Sequence, residues 1–287
     1  MSKYIELLRI RHYVKNLFVF APLFFSFSFH NLQNVVFSFL AFILFSLAAS
    51  GIYILNDIYD IEEDKQHPIK KKRGLASGKV KISTAILIVC FLLSMVLVGA
   101  ILLNKNLFIV LSIYIIINYA YSVKLKNYVV IDIAIISLGF VLRIFAGAVV
   151  INVSVSMWII IITFLLAIFL AIAKRREDLI LLSIGQNTRK NVDDYNIEFI
   201  NSSMVLMAAV IIVSYILFTA SPEVQLKFRS SNLYLTSFFV IVGILKYMQL
   251  VFVAGERADP TELIYQSKFL QIVIVCWLLC FYLISKA

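Results

Sequence analysis

Long apolar runs separated by short polar connections set the pattern of the chain. The runs lie near 17–30, 36–56, 82–103, 107–122, 129–150, 155–173, 202–220, 231–253 and 269–285. A helix needs about 20 apolar residues to cross the hydrocarbon core of a bilayer. The pattern therefore predicts an all-α integral membrane protein with about nine transmembrane helices, the first and fourth runs being short. Residues 3–15, where Tyr4, Leu7 and Leu8 stand among Lys and Arg, read as a short amphipathic helix, the kind of piece that lies at the membrane interface. Residues 1–16 are thus expected as an N-terminal interfacial helix. Neither an internal repeat nor a Pro/Gly/Ser-rich linker divides the runs, so residues 1–287 read as a single transmembrane domain.

Composition agrees with that pattern. Of 287 residues, 62% are hydrophobic and 15% charged, against about half and a quarter in soluble domains. The net charge of +10 raises nucleic acid as a partner. In a membrane chain, however, cationic residues retained on the cytoplasmic side explain it better, and no nucleic-acid partner is expected. Cys90, Cys276 and Cys280 each fall inside an apolar run without histidine at ligand spacing, which argues against a metal site or disulfide framework there. Arg9, Arg11 and Lys15 precede the first run and no small-residue cleavage site follows, so a removed signal peptide is not expected.

Nine spans sort the connections onto two sides. One side, with the N-terminus and the connections near 57–81, 123–128, 174–201 and 254–268, holds 20 of the 26 Lys and Arg residues; the other holds four. That asymmetry assigns the first side to the cytoplasm, and the chain is expected in the inner (cytoplasmic) membrane. The acids follow the same division, 15 of 16 lying on the basic side and only Glu223 opposite. Insertion rules constrain acids little, so their clustering points to a working cytoplasmic face.

The strongest chemical signal closes the second run: Tyr53-Ile-Leu-Asn56-Asp57-Ile-Tyr-Asp60-Ile-Glu-Glu-Asp64. On a helix, Asn56 and Asp60 are four apart, Asp57 and Asp60 three, and Asp60 and Asp64 four. This spacing stacks an amide and three carboxylates along one face over about two turns, with Tyr53 one turn deeper. Hard oxygen donors so grouped suit magnesium, which binds through one or two carboxylates together with substrate phosphates. A merely solvated acidic helix end accounts for Glu62 and Glu63 but poorly for stacked carboxylates that repel one another. The cofactor expected is Mg2+, with Asn56, Asp57, Asp60 and Asp64 as candidate ligands and the three aspartates as candidate catalytic groups.

Downstream, His67-Pro68-Ile69-Lys70-Lys71-Lys72-Arg73 could bind the outer charge of a phosphorylated substrate, although topology and anionic lipid explain most of such a run. Arg143 lies about 16 Å along a helix from Asp132, near mid-membrane, where a charged residue is by default a functional candidate. Gly139 and Gly147 share its helix face at four-residue spacing. Lys246 is nearer a helix end and reads as snorkelling. Asn118 reads as a helix–helix hydrogen bond.

Taken together, these stretches resemble the UbiA superfamily of membrane prenyltransferases, and within it the decaprenyl-phosphate phosphoribosyltransferase branch. The matching segments are Arg11-His-Tyr-Val-Lys15-Asn16-Leu-Phe-Val-Phe-Ala-Pro, Asn56-Asp57-Ile-Tyr-Asp60-Ile-Glu-Glu-Asp64-Lys-Gln-His-Pro68, Tyr121-Ser-Val-Lys124-Leu-Lys126, Gly139-Phe-Val-Leu-Arg143-Ile-Phe-Ala-Gly147 and Lys174-Arg175-Arg176-Glu177. The resemblance implies helices around a central cavity opening to the cytoplasmic side. It also implies magnesium-assisted transfer of 5-phosphoribosyl from 5-phosphoribosyl 1-diphosphate to a polyprenyl phosphate, releasing diphosphate, for envelope glycan synthesis. On this resemblance Asn56 and Asp60 hold magnesium, with Asp57 and Asp64 as further ligands or as acceptors behind them. Lys15, Asn16, Tyr53, Lys70, Arg73 and Tyr121 line the substrate site. Lys124 or Lys126, Arg143, Lys174, Arg175 and Glu177 serve the phosphates of donor and lipid.

Aromatic prenyltransferases carry a second aspartate-rich motif after the sixth span. This chain reads Lys174-Arg175-Arg176-Glu177-Asp178 there, which suits a lipid monophosphate bound directly. Prenyl transfer to an aromatic acceptor remains the alternative within enzymes. A transporter with Arg143 on its substrate path is the alternative of another class, disfavoured because only Pro22 of the four prolines interrupts a span. Arg189, Lys190, Asp193, Asp194 and Tyr195 read as a solvated loop. Whether the protein forms a homo-oligomer stays open.

Overall fold

The computed structural model describes residues 3–66, 70–183, 195–253, 263–264 and 266–286. Every regular element among them is helical. Among the described residues, seven helices are long and apolar enough to cross a membrane: Leu32–Tyr59, Ile82–Leu103, Lys105–Val123, Ile131–Val150, Met157–Ser183, Ile197–Ala220 and Asn232–Phe252. An eighth, Lys268–Ile284, is apolar and 17 residues long. The α-helices are numbered α1 (Lys3–Leu7), α2 (Ala21–Phe25), α3 (Leu32–Tyr59), α4 (Ile61–Gln66), α5 (Ile82–Leu103), α6 (Lys105–Val123), α7 (Ile131–Val150), α8 (Met157–Ser183), α9 (Ile197–Ala220), α10 (Pro222–Phe228), α11 (Ser237–Phe252) and α12 (Lys268–Ile284).

The first 30 residues differ from their expectation. Neither a single interfacial helix over 3–15 nor a continuous span over 17–30 forms. Instead α1 ends in a turn, Arg9 takes a left-handed backbone (φ 49°), and a 3₁₀ stretch runs Ile10–Phe20 into α2 and a 3₁₀ turn at Ser28–His30. Pro22 at the start of α2 and Phe27 at φ 54° mark the other breaks. The physical reason lies in tertiary bonds. Ser50 Oγ of α3 donates to Leu8 O at 2.7 Å and meets Tyr13 Oη at 2.9 Å, and Ser46 Oγ, one turn earlier, accepts from Asn16 Nδ2 at 2.9 Å. Burying Leu7, Asn16 and Val19 against the bundle outweighs a regular helix along the interface.

The chain divides into two compact units, the first formed by 1–156 with 181–194 and the second by 157–180 with 195–287. In the first unit α3 packs against α5, α6, α7 and the Ile10–Phe20 stretch. Its core joins Phe45, Ala48, Ala49 and Ile52 to Val96 and Ala100 of α5, Leu111 and Tyr114 of α6, and Leu142 and Ala146 of α7. Small residues at these contacts let helix backbones approach closely in a medium that offers little hydrophobic drive for association. Gly147 shows this best: a Cβ built there would lie 1.9 Å from Val19 O, so α7 touches the N-terminal backbone itself. Outward residues such as Leu87, Phe91, Leu102 and Ile116 are largely uncovered, as lipid-facing positions should be. Asparagines start two of the long helices of this unit. Asn31 caps α3 by accepting from Gln33 N, and Asn104 caps α6 by accepting from Asn106 N and Leu107 N while donating to Val149 O.

The second unit comprises most of α8 with α9 to α12 and a 3₁₀ turn at Asn232–Thr236. A polar node sits in its interior, where Tyr215 Oη takes a hydrogen bond from Trp277 Nε1 at 2.7 Å and pairs with Thr236 Oγ1 at 2.7 Å. Lys246 donates to Gln249 within its own helix and lies near the Phe269 ring. Asn118, in the first unit, bonds back to Tyr114 O of its own helix at 2.9 Å rather than across to a neighbour.

Candidate active site

The acidic run sits where α3 ends. Asp60 leaves helical geometry (φ −95°, ψ 7°), and α4 starts one residue later, carrying Asp64. Asn56 and Asp60 meet as their four-residue spacing requires, with Asn56 Nδ2 donating to Asp60 Oδ2 at 2.7 Å. The other oxygen of Asp60 is ion-paired with Lys126, so Lys126 comes to the acidic run while Lys124 stays exposed.

Asp57 and Asp64 form a separate set. They are two turns apart in sequence and are joined by Arg73, whose Nη1 donates to Asp57 Oδ1 at 3.0 Å and to Asp64 Oδ2 at 2.7 Å. Asp57 Oδ1 also accepts from Arg9 Nη2. The Asp57 side chain is only 4% exposed, so its charge depends on these two guanidinium groups. Arg9 stacks over Tyr53, 5.0 Å from the ring centroid, and Tyr53 in turn faces His12. Burial pulls the Arg9 pKa below its ordinary value, with the Asp57 carboxylate opposing; a guanidinium stays charged through such a shift. In the sequence Arg9 stands out only as one of the N-terminal cations. Its 48-residue separation from Asp57 leaves no local signal.

One expected face thus becomes two paired sets, Asn56–Asp60–Lys126 and Arg9–Asp57–Arg73–Asp64. Among the described residues no three Asp, Glu, His or Cys side chains converge as a metal cage. Magnesium, however, takes one or two carboxylates and completes its shell with phosphates and water. Asn56 and Asp60, an amide and a carboxylate in direct contact, are donors of the kind such an ion takes.

Of the other expected site residues, Lys15 and Tyr53 are half-buried, as are Lys70, which opens a 3₁₀ turn beside the more exposed Lys71 and Lys72, and Tyr121 near the end of α6. His67 and Pro68 lie outside the described residues, as do Arg189, Lys190, Asp193 and Asp194; Tyr195 of the expected solvated loop is buried.

Arg143 is enclosed rather than open. Its side chain lies among the rings of Phe45, Phe140 and Tyr114, 4.8, 5.1 and 5.5 Å from their centroids. Its Nε donates to Asn16 Oδ1 at 2.8 Å and its Nη1 to Gly139 O at 2.7 Å. At 5% exposure for Arg143 and 1% for Asn16, both ends of the Asn16 amide are spent on protein groups. Cation–π contacts of this kind gain strength when desolvated.

In the second unit, Lys174 pairs with Glu177 and Arg175 with Asp178, each three residues on, while Arg176 donates to Asn201 Oδ1 and Val251 O. Arg175 is 2% exposed and Lys174 36%. Lys174 is therefore the accessible cation of the pair, and Arg175 is part of the packing.

Known proteins resemble this chain along most of its length. The UbiA prenyltransferase family matches residues 17–273. A decaprenyl-phosphate phosphoribosyltransferase of Mycolicibacterium smegmatis is 32% identical over 83% of this chain and 77% of its own. One from Corynebacterium glutamicum is 27% identical over 96% and 84%. The solved structure of a UbiA homolog from Archaeoglobus fulgidus, bound to DMAPP and Mg2+, superposes over 100% of both chains with a TM-score of 0.72 at 21% identity, a likeness of fold. The resemblance read from the sequence is borne out, and the chain, a multi-pass membrane protein and a transferase by kinship, belongs to the UbiA prenyltransferase family.

Proposed function

We propose that the protein transfers 5-phosphoribosyl from 5-phosphoribosyl 1-diphosphate to a polyprenyl phosphate on the cytoplasmic face of the inner membrane, giving a lipid-linked pentose for envelope glycan synthesis. The observation that carries this reading is the pairing of acids with Arg9, Arg73 and Lys126 at the end of α3. Such a set offers both oxygen donors for a divalent cation and fixed cations for phosphates. Its kinship with phosphoribosyltransferases at 27–32% identity supports the choice of donor.

In this reading an oxygen of the lipid phosphate bonds to C1 of the ribose as the C1–O bond to diphosphate breaks. A phosphate monoester is largely dianionic at neutral pH, so the nucleophile needs no base and the site carboxylates are free to hold cations. Asn56 and Asp60 would hold magnesium, which when bound would neutralise charge growing on the departing diphosphate. Until the donor binds, Asp57 and Asp64 orient Arg9 and Arg73, and Lys15, Tyr53, Lys70 and Lys126 contact the donor. Arg143, enclosed as it is, acts by fixing Asn16 and the stretch that carries Lys15.

The test gives purified protein radiolabelled 5-phosphoribosyl 1-diphosphate, magnesium and polyprenyl phosphate, with a prenyl diphosphate and an aromatic acceptor in parallel. Label in the lipid phase, lost on chelation and restored by magnesium, is the expected result. A prenylated aromatic without lipid-linked ribose would overturn the choice of donor and leave the family assignment standing.

The second unit provides a further expectation. If Lys174 binds a substrate phosphate, Lys174→Ala should cost about 1.5–3 kcal/mol, as for a hydrogen bond to a charged group, or roughly tenfold to a hundredfold in kcat/KM, with an unchanged melting profile. Arg175→Ala should instead lower stability, because it strands the Asp178 carboxylate. Undiminished kcat/KM in the Lys174 variant would remove it from the site.

A further inference from the structure

We propose that Arg9 is an internal counter-cation that keeps free divalent metal off the Asp57 carboxylate, so that metal enters only together with a diphosphate. The proposal rests on the metal–diphosphate reading above and adds an order of binding and a residue that enforces it.

Three observations support it. First, the paired sets balance in charge. Arg9 and Arg73 face Asp57 and Asp64, and Lys126 faces Asp60, so three cations answer three anions. A cluster with no excess negative charge has little field with which to concentrate a bare divalent cation. Second, Asp57 is occupied, because one of its oxygens accepts from both guanidinium groups and the carboxylate itself is buried. Metal can take Asp57 only if a guanidinium leaves. Third, the two arginines are held unequally. Arg73 bridges Asp57 and Asp64, whereas the ion pair of Arg9 runs to Asp57, with the Tyr53 ring beneath it. Arg9 is accordingly the group that yields.

A diphosphate makes that move favourable. Its oxygens accept the planar N–H fork of a guanidinium in bidentate fashion. Arg9 can therefore exchange a carboxylate for a phosphate without losing a charged partner, and the vacated carboxylate oxygen becomes available to the metal carried in with the diphosphate. Free metal provides no such new partner for Arg9, so the exchange does not occur. Both the first contact with the donor and the exclusion of unaccompanied metal then fall to one side chain.

The experiment measures Mn2+ binding to the full-length protein in nanodiscs by paramagnetic resonance and by calorimetry, with no lipid acceptor present. Wild type should bind Mn2+ alone weakly and retain it when inorganic diphosphate is added. Arg9→Gln, which removes the competing charge, should bind Mn2+ alone about tenfold more tightly, the scale of one unit charge a few ångströms away in a partly solvated site. The same variant should bind diphosphate more weakly. Arg9→Lys, which keeps the charge, should still exclude Mn2+. Equal Mn2+ affinity in wild type and Arg9→Gln overturns the proposal. So does a wild type that binds Mn2+ equally well with and without diphosphate, a result that stands even if the glutamine variant fails to fold. If wild type retains no Mn2+ under any condition and makes no lipid-linked ribose, the underlying functional reading fails instead, and the two failures are thereby distinguished.

Discussion

Asp60→Asn is expected to lower turnover by about a hundredfold to a thousandfold while the protein still inserts and folds. Asp60 is the point where α3 stops, and it holds Asn56 through one oxygen and Lys126 through the other. An amide has nearly the same shape and still accepts from Asn56, so the local geometry survives. What disappears is the negative charge, and with it both the best oxygen donor for a divalent cation and the anchor of Lys126. Loss of one preorganised electrostatic contact at a reacting centre typically costs about 10²–10³ in kcat. Membrane insertion depends on the apolar spans, which the change leaves alone. The check is steady-state turnover of the purified variant over a magnesium titration, beside a melting curve. Ordinary turnover at ordinary magnesium would remove Asp60 from the metal's ligands.

Gly147→Ala should do comparable damage by a purely steric route. The added methyl would stand 1.9 Å from Val19 O and 2.9 Å from Val19 C, with Pro22 Cδ at 3.3 Å. A flexible side chain could swing aside, but a backbone carbonyl within a 3₁₀ stretch that runs directly into α2 cannot. The whole Ile10–Phe20 stretch must lift off α7. Overpacking usually costs about 1–3 kcal/mol, and contact with backbone puts this case at the upper end. Activity should fall further than stability, because the displaced stretch carries Lys15 and the Asn16 amide that fixes Arg143. Gly243→Ala is the control, since its methyl would meet only Val273 Cγ1 at 3.5 Å, an ordinary contact. Equal melting and turnover for the two variants would refute the close approach.

Much of this architecture was legible from hydropathy, because a spanning helix must be both long and uniformly apolar and few other structures are. Seven of the expected spans stand as helices of the required length and composition. The 17–30 run misled because apolar content does not distinguish a continuous span from short pieces folded against a bundle. What breaks that run is Pro22 and the left-handed Phe27, while hydrogen bonds linking Leu8, Tyr13 and Asn16 to Ser50 and Ser46 tie down the residues just before it. Those two serines, four apart in an apolar span, were the signal that something polar must dock there. Within the acidic run, the i to i+4 pair of Asn56 and Asp60 followed from helical spacing. The division of Asp57 and Asp64 into a second set did not, because it is imposed by Arg9, 48 residues before Asp57, and Arg73, 16 residues after it. Arg143 was conspicuous by depth alone, yet its partner Asn16 lies 127 residues earlier, and no periodicity encodes such a pairing.

That last pairing has a consequence for biosynthesis. The ribosome delivers Asn16 long before α7, so the N-terminal stretch must wait, incompletely partnered, while α3, α5 and α6 enter the bilayer. When α7 follows, it brings an arginine whose passage to mid-membrane on a lone helix costs about 2.5–3.5 kcal/mol even on the insertion scale. Docking against Asn16, Phe45 and Tyr114 repays that cost only if all three are already in place. The first unit should therefore close late and in one step, with the earliest residues made serving as the clasp that α7 shuts. Nascent chains halted before α7 emerges should leave the N-terminal stretch open to protease, and chains extended past Val150 should protect it.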